Sequence, residues 1–319
     1  MSRNQPVSNQ ATVSVVVAGR NRYEKLYATI QSLMESEYSI LEIIYVDTGS
    51  GDQLISQVTR LFPSVAVRRV FTGNPQEARN TGAELSRGDY IVFCDDDVIV
   101  GRKTIGNLVE LLSSRDGAGA IGCACYSDSS MSHGLNCYTL STPFWLNREG
   151  KSVSNAGVFQ VFGIRNFIMF KRSVFLLTGG WDTNVFIQGD ETDLHYRMHR
   201  LGYSLLMDTN SYIIDQTPGK EDRIVIKEAG LSRKGLGVRN TLYSEIKQLS
   251  FVVLLWIFPS SLLWMLLRSI YTNSVHDYAE GVKAFFGMKH KAISGRRDSI
   301  PRSIFVDLSI LLKLQFLHA

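Results

Sequence analysis

Apolar residues in the first third of the chain come in short solid runs, separated by stretches where they recur every three or four positions. Residues 13–18, Val-Ser-Val-Val-Val-Ala, read as a buried strand. After a turn at Arg20-Asn21-Arg22, the spacing of Leu26, Ile30, Leu33 and Met34 predicts a helix over 23–35. The alternation continues with a strand over 41–46 that ends at Asp47, a helix over 53–61, a strand over 65–70, a helix over 75–86, a strand over 90–94 and a helix over 103–113. Strands alternating with helices predict βαβ units and a mainly parallel, Rossmann-like sheet flanked by helices, an α/β fold. Right-handed crossovers bring the strand ends to one edge, so Asp47 and the run Asp95-Asp96-Asp97 converge there although they are far apart in sequence.

Regularity falls off over 117–173, where 159–164 and 167–170 have strand character. Gly179-Gly180-Trp181-Asp182 reads as a turn, and 193–201 as a helix capped near Asp190 or Thr192. A strand over 211–214 precedes Asp215 and Gln216, and a basic, glycine-containing stretch covers 220–239. The polar residues 1–11 lack the apolar core of a signal peptide and read as a short disordered lead.

The segment 249–267, LSFVVLLWIFPSSLLWMLL, is the opposite extreme: it carries no charge and is close to the length that spans a bilayer. Lys247 and Arg268 bracket it and Pro259 interrupts it. Eight Lys or Arg and four Asp or Glu follow it. A single span with a cytosolic catalytic domain would export those basic residues, against the positive-inside tendency. The expected arrangement is therefore monotopic association with the cytoplasmic face of a membrane, the basic residues touching anionic lipid. A single-pass span and a buried hairpin or oligomer interface are the alternatives. The stretches 278–286 and 304–316 are also apolar on one face. Cutting the chain before about Lys247 is expected to release a more soluble catalytic domain.

Composition adds bounds. A chain of 319 residues, 45% hydrophobic and 20% charged, is globular with a substantial core, and a net charge of +4 gives no argument for a nucleic-acid partner. The four cysteines, Cys94, Cys123, Cys125 and Cys137, form no Cys-x-x-Cys pair and have small or apolar neighbours, which suits reduced thiols.

Candidate chemistry centres on Asp95, Asp96 and Asp97. Like charges in a row repel one another, and a hard cation relieves that repulsion. Oxygen donors suit Mg²⁺ or Mn²⁺, which commonly bridge to substrate phosphates. A solvated acidic turn is the plainer alternative.

Five segments stand in order: VSVVVAGRNR at 13–22, VDTGS at 46–50 with Asp52 after it, ARNTG at 78–82, GDYIVFCDDD at 88–97 and GDETDL at 189–194. In this order and spacing the chain closely resembles the family 2 glycosyltransferases, over about 12–216. The resemblance implies a GT-A domain over 12–240 and a C-terminal helical, membrane-associating region over 241–319. Members that build surface glycans, rhamnosyltransferase-like ones among them, have a similar C-terminal pattern. It further implies inverting transfer of a sugar from a nucleoside-diphosphate sugar donor to a saccharide or lipid-linked saccharide, assisted by Mg²⁺ or Mn²⁺.

Residue by residue, the resemblance assigns Asp47 to the donor base or ribose, its alternative being a cap on the turn before Gly49. Arg79 would orient the diphosphate, or else make an ordinary helix salt bridge, while Asn80 and Gly82 let their helix approach the nucleotide. Asp97 is expected to coordinate the metal and Asp95 to contact metal and ribose, with Asp96 tuning both. Where the family carries Glu-Asp before a helix, this chain has Asp190-Glu191, so Glu191 takes the place of the base and Asp190 stands beside it. Asp193 caps the helix or orients Arg197. Asp215 stands where many members place a metal-binding histidine. Trp181 and Asp182 match a loop near the acceptor, where Trp181 would stack on a sugar or serve as a core aromatic. His195 and His199 share a helix face, but the motif places no carboxylate with them to complete a metal site.

A close alternative and two more distant functions stand beside this reading. Direct transfer to polyprenyl phosphate would leave a phosphate-terminated product. A catalytically silent homologue that binds nucleotide or lipid would not need both Asp95 and Asp97. A nucleotidyltransferase would need a phosphate loop richer in glycine than Ala18-Gly19-Arg20-Asn21.

Overall fold

A computed structural model describes residues 10–127, 157–216, 230–296, 303–305 and 307–308, and the backbone alone of 133–134, 137–141, 144–149 and 225–226. The elements run β1 (Val13–Gly19), α1 (Tyr23–Met34), β2 (Glu42–Asp47), α2 (Asp52–Leu61), β3 (Val65–Arg69), α3 (Pro75–Leu85), β4 (Tyr90–Asp95), β5 (Val98–Val100), α4 (Thr104–Ser113) and β6 (Ala118–Ser127). Then come β7 (His133–Gly134), β8 (Cys137–Ser141), β9 (Phe144–Glu149), β10 (Val158–Val161), β11 (Gly163–Ile164), β12 (Phe167–Lys171), α5 (Arg172–Thr178), α6 (Asp190–Arg200) and β13 (Ser204–Asp215). The C-terminal part holds β14 (Val225–Ile226), β15 (Leu231–Ser232), α7 (Arg233–Gln248), α8 (Phe251–Tyr271) and α9 (Val275–Gly295).

The solid apolar run of β1 follows from its central place. Val13, Val15 and Val17 pack with Leu26, Ile30 and Leu33 of α1 on one face, and Val16 packs with Ala78 and Ala83 of α3 on the other. Strands buried on both faces read as continuous hydrophobic runs rather than alternating ones. α3 lies very close to the sheet, since a Cβ at Gly82 would come within 2.2 Å of Val16 Cγ1. Gly82 therefore serves helix–strand packing.

The main sheet has the order β10-β13-β6-β12-β4-β1-β2-β3, with β5 and β7 attached to β13 and β6. It is parallel from β3 through β2 and β1 to β4. Beyond β4 it is mixed: β12 runs antiparallel to both β4 and β6, while β6 and β13 are parallel. The elements up to residue 113 match the expected ones closely. Differences begin after that. The irregular stretch holds the ten-residue β6, and 159–164 divides into β10 and β11. α6 starts at Asp190, earlier than expected, because Gly189 caps it at φ +85° without any side-chain hydrogen bond. Asp190 and Thr192 thus lie inside the first turn instead of capping it.

The boundary expected at 240 falls inside α7. Val185, Leu242, Tyr243, Phe285 and Ala292 form a core between α7, α9 and the loop before α6. Among the described residues, α8 is the one helix long and apolar enough to cross a membrane by length and composition, with 17% of its apolar window buried. Val253, Ile257 and Ser261 are buried, whereas Phe251, Val252, Leu255, Trp256, Leu263, Leu267 and Ile270 are exposed. Cys94, Cys123 and Cys125 are free thiols. Residues 1–9, most of 304–316, most of the basic stretch before α7 and the side chain of Cys137 lie outside the described residues.

Candidate active site

β4 ends at Asp95, and Asp96 and Asp97 form the turn into β5, so the three carboxylates find different partners. Asp96 is turned under the β1–α1 turn, where it accepts from the Arg20 backbone N–H at 3.3 Å and from Arg22 Nη1 at 3.2 Å. The fit is tight enough that a Cβ on Gly19 would overlap Asp96 Oδ2. Asp95 and Asp97 flank it and are each met by an arginine, Asp97 by Arg22 at 2.6 Å and Asp95 by Arg79 at 3.0 Å. Burial pushes the Asp95 carboxyl up to about 6 although Arg79 pulls it back. Burial likewise pushes Asp96 up to about 7 against Arg22. Asp215 reaches the same edge, because β13 pairs Asp215 with Val98 and the next residue, Gln216, donates its N–H to Asp97 O at 2.8 Å.

Arg79 joins this strand end to a distant helix start. Its Nη1 donates to Asp190 Oδ2 at 3.0 Å and to Gln76 Oε1 at 2.8 Å, while Nη2 holds Asp95. Gln76 Nε2 also donates to Asp190 Oδ2, at 2.7 Å. The Asp190 carboxylate is thereby engaged from α3. Its neighbour Glu191 is different. Burial and the adjacent Asp190 charge push its carboxyl up to about 8, offset only in part by Arg165 and Arg79.

Several expected site residues are placed elsewhere. The Asp47 side chain has 0% exposure and is used by its own turn, accepting from Ser50 N at 2.9 Å, Gly49 N at 3.1 Å and Tyr45 Oη at 3.3 Å, with Arg69 Nε at 3.4 Å. It caps the turn before Gly49, the alternative reading of this residue. Asn80 is closed on the Trp181 backbone in both directions, at 2.9 and 2.8 Å, and so fixes that loop against α3. Trp181 is buried edge-on against Phe93 at 5.4 Å, with the Arg79 guanidinium over its ring at 4.9 Å. A core ring of this kind offers no face to an acceptor sugar. Asp182 accepts from Lys247 Nζ at 2.6 Å and Tyr243 Oη at 2.8 Å, so it ties its loop to α7.

Asp193 orients Arg197 as expected, at 2.6 Å, and also meets Lys247 at 3.1 Å and Gln248 at 2.6 Å. His195 is buried beside Phe170, and His199 Nε2 contacts Phe162 O at 2.9 Å. Arg22 and Gln76 are site residues that sequence reasoning missed. The position of Gln76 three residues before Arg79, on the same helix face, was the available signal.

Among the described residues, no group of three or more His, Cys, Asp or Glu is gathered in metal-binding geometry. Asp95 and Asp97 are balanced by guanidinium groups in this arrangement. As a donor set, Asp95, Asp97 and Asp215 still present only hard carboxylate oxygens at one sheet edge, the chemistry that Mg²⁺ and Mn²⁺ prefer.

The family model described as Glycosyl transferase family 2 matches residues 14–175. A glucosyl-dolichyl phosphate glucuronosyltransferase of Haloferax volcanii is 28% identical over 203 residues, which cover 59% of this chain and 60% of that protein. The chain spans between 29% and 60% of the length of three curated relatives, this one included. Two solved structures share the fold. GalNAc-T7 with UDP, GalNAc and Mn²⁺ superposes with a TM-score of 0.56 and 16% identity over 74% of this chain and 48% of its own. The mannosyltransferase PcManGT from Pyrobaculum calidifontis, in complex with GDP-Man and Mn²⁺, gives 0.51 and 14% over 98% and 82%. These likenesses show the GT-A architecture.

Proposed function

This chain belongs to glycosyl transferase family 2, and from that premise we propose that it moves a sugar from a nucleoside-diphosphate donor to a saccharide or lipid-linked saccharide, inverting the anomeric carbon. The observation that carries the reading is the Arg79 bridge, which brings the Asp95 strand end and the Asp190-Glu191 helix start to one crevice.

Asp97 and Asp95, with Asp215 at the same edge, are the residues that would hold Mg²⁺ or Mn²⁺. Such an ion stabilises the charge of the leaving diphosphate. The Mn²⁺ named with both structural neighbours supports this choice. Arg22 and Arg79 supply fork-shaped donors that suit phosphate oxygens.

An inverting displacement needs one base to accept the proton of the attacking hydroxyl. Asp190 already accepts from Gln76 and Arg79, so its carboxylate is engaged by α3. Glu191, pushed up to about 8, is matched to that task near neutral pH.

The lipid-linked acceptor is supported by the Haloferax relative, whose name specifies a dolichyl phosphate, and by the exposed apolar face of α8. The arrangement favours a monotopic position on the cytoplasmic face. α9 carries Asp277, Glu280, Lys283, Lys289, His290 and Lys291. It is fastened to α8 by Tyr278 Oη donating to Leu262 O at 3.2 Å and by Phe258 against Phe285 at 5.8 Å. Carrying α8 through a bilayer would draw those charges in with it, at high cost.

The test is release of nucleoside diphosphate by the full-length protein from a panel of UDP-, GDP- and dTDP-sugars with Mn²⁺ or Mg²⁺. With a membrane lipid extract added as the source of acceptor, one donor is expected to give release that a chelator stops; silence across the panel in its presence would sink the reading. A product in which the sugar is joined directly to the lipid through a single phosphodiester would instead point to direct transfer onto polyprenyl phosphate.

A further inference from the structure

The turn that presents Asp190 and Glu191 is held in a backbone form that side chains rarely adopt. Gln188 has φ +69° and Gly189 φ +85°. Gln188 is one of only four non-glycine residues with positive φ among the described residues. Conformations of this sort persist where the surroundings over-determine them, and they concentrate at functional sites.

Here the surroundings are two helices from opposite ends of the chain. Gln76 of α3 donates to Phe186 O at 2.9 Å. Asn240 of α7 donates from one amide nitrogen to the next two carbonyls, Ile187 O at 2.6 Å and Gln188 O at 2.7 Å. Three successive carbonyls are thus each taken by a side chain from another helix. The Asn240 amide has a defined orientation, because Arg239 Nε donates to its Oδ1 at 2.8 Å and leaves Nδ2 facing the turn. Asn240 is fully buried, and a Cβ on Gly189 would lie 3.8 Å from the Asn240 Cβ. None of these contacts touches Asp95, Asp96 or Asp97.

We infer that Asn240 is a positioning residue for the proposed base: its amide clamps the left-handed Gln188–Gly189 turn and thereby fixes where α6 begins and where Glu191 stands. The inference rests on the reading of Glu191 given above. It also makes α7 the mechanical link between the apolar helix α8 and the reaction centre, since Lys247 and Gln248 of α7 hold Asp182 and Asp193 on either side of the same turn.

The experiment compares full-length wild type with Asn240→Ala and Asn240→Asp. The second keeps the size but sets an acceptor against two carbonyls. Steady-state release of nucleoside diphosphate from the active sugar nucleotide gives kcat and donor KM, and calorimetry gives binding of UDP, GDP and dTDP with Mn²⁺. Misplacing a reacting group by about an ångström costs roughly 10²-fold in rate. That loss is expected in kcat for both variants, with donor KM and nucleotide binding within about twofold of wild type. Gly189→Ala is the second route. It meets no clash but loads strain onto the same turn, so it should show the same kcat-specific loss, and it decides the matter if the Asn240 variants fail to fold. Unchanged kcat, or a loss of nucleotide binding in parallel with kcat, would overturn the positioning role. Absence of release by wild type itself would overturn the transferase reading on which the role depends.

Discussion

Two acidic runs meet in the crevice, and they are built on different principles. At the strand end and the turn after it, 95–97, Arg22 meets both Asp96 and Asp97 while Arg79 meets Asp95. At the helix start, 190–193, the turn of α6 sends Asp190 toward α3 and Asp193 toward α7. Burial alone would raise the Asp193 carboxyl, but Arg197 and Lys247 overcome it and hold that group well below the usual carboxylate range. Glu191, two residues earlier, is pushed up to about 8. Both are acidic groups in one helical turn. What separates them is how far nearby cations and donors offset burial: fully at Asp193, and only in part at Glu191, where Arg165 and Arg79 leave the carboxyl raised.

The sharpest way to break this comparison is at Asp97. Asp97→Ala should abolish transfer while the protein melts within a few degrees of wild type, and nucleoside-diphosphate binding should lose most of its Mn²⁺ dependence in calorimetry. Activity that persists in this variant, or in excess chelator, would remove the strand end from the chemistry.

Next in size is Glu191→Gln, where loss of a general base costs about 10²–10⁴-fold in rate while donor affinity stays nearly constant. Wild-type rate should rise with pH through about 8, the value to which this carboxyl is pushed, and the variant should show no such limb. Stability carries the opposite sign. The folded state keeps the Glu191 proton between its ordinary 4.5 and about 8, so this contribution is full at low pH and fades as pH rises through that window. At pH 9 the glutamine variant should therefore melt higher than wild type. If Asp190→Asn is crippled instead and Glu191→Gln is not, the two roles are reversed.

Asp193→Ala tests the structural half. It leaves Arg197 and Lys247 facing an empty place in the interior, and breaking a buried pair costs about 3–5 kcal/mol. Urea denaturation should show that loss at neutral pH. In wild type this stabilisation is present above the ordinary carboxyl value of 3.8 and is lost as pH falls below it. The smallest effect is expected for Asp96→Asn, since an amide oxygen can still accept from the Arg20 N–H. Transfer should be retained. Because burial pushes the Asp96 carboxyl up to about 7, the variant should not melt lower than wild type above that pH. A loss of transfer equal to that of Asp97→Ala would erase the distinction between outer and middle aspartates.

The parallel half of the fold was legible because strands covered on both faces advertise themselves as solid apolar runs, and the convergence of the strand ends followed from crossover handedness alone. β6 was not legible. It is built from small residues such as Gly122, where a Cβ would come within 2.3 Å of Ile164, and such a sequence looks irregular. The alternatives left open at Asp47 and Trp181 turned on partners that no local pattern reveals. Arg79 could be read as a candidate, but its contact with Asp190 spans 111 positions.

The C-terminal run was visible as an apolar helix, whereas the polar side of α7 was not. Lys247 is bound to both Asp182 and Asp193. A cut before Lys247 therefore removes part of the interior and is not the clean separation that composition suggests.

One contact far from the crevice bears on how the protein comes into being. Arg200 of α6 pairs with Asp307 at 2.8 Å, both side chains fully buried, across 107 positions. Asp307 also accepts from Ser250 N at 2.6 Å and Tyr196 Oη at 3.2 Å. A ribosome adding about 5–20 residues each second makes Asp307 roughly 5–20 s after Arg200. Through that interval α6 carries a cation that cannot enter the interior without its counter-charge. Nascent chains stalled ahead of residue 303 should accordingly be cut by protease near α6 while β1–β4 resist. The greasy α8 leaves the tunnel before the pair can close, so maturation of the reaction centre and first contact of α8 with its surroundings fall within the same few seconds of the protein's life.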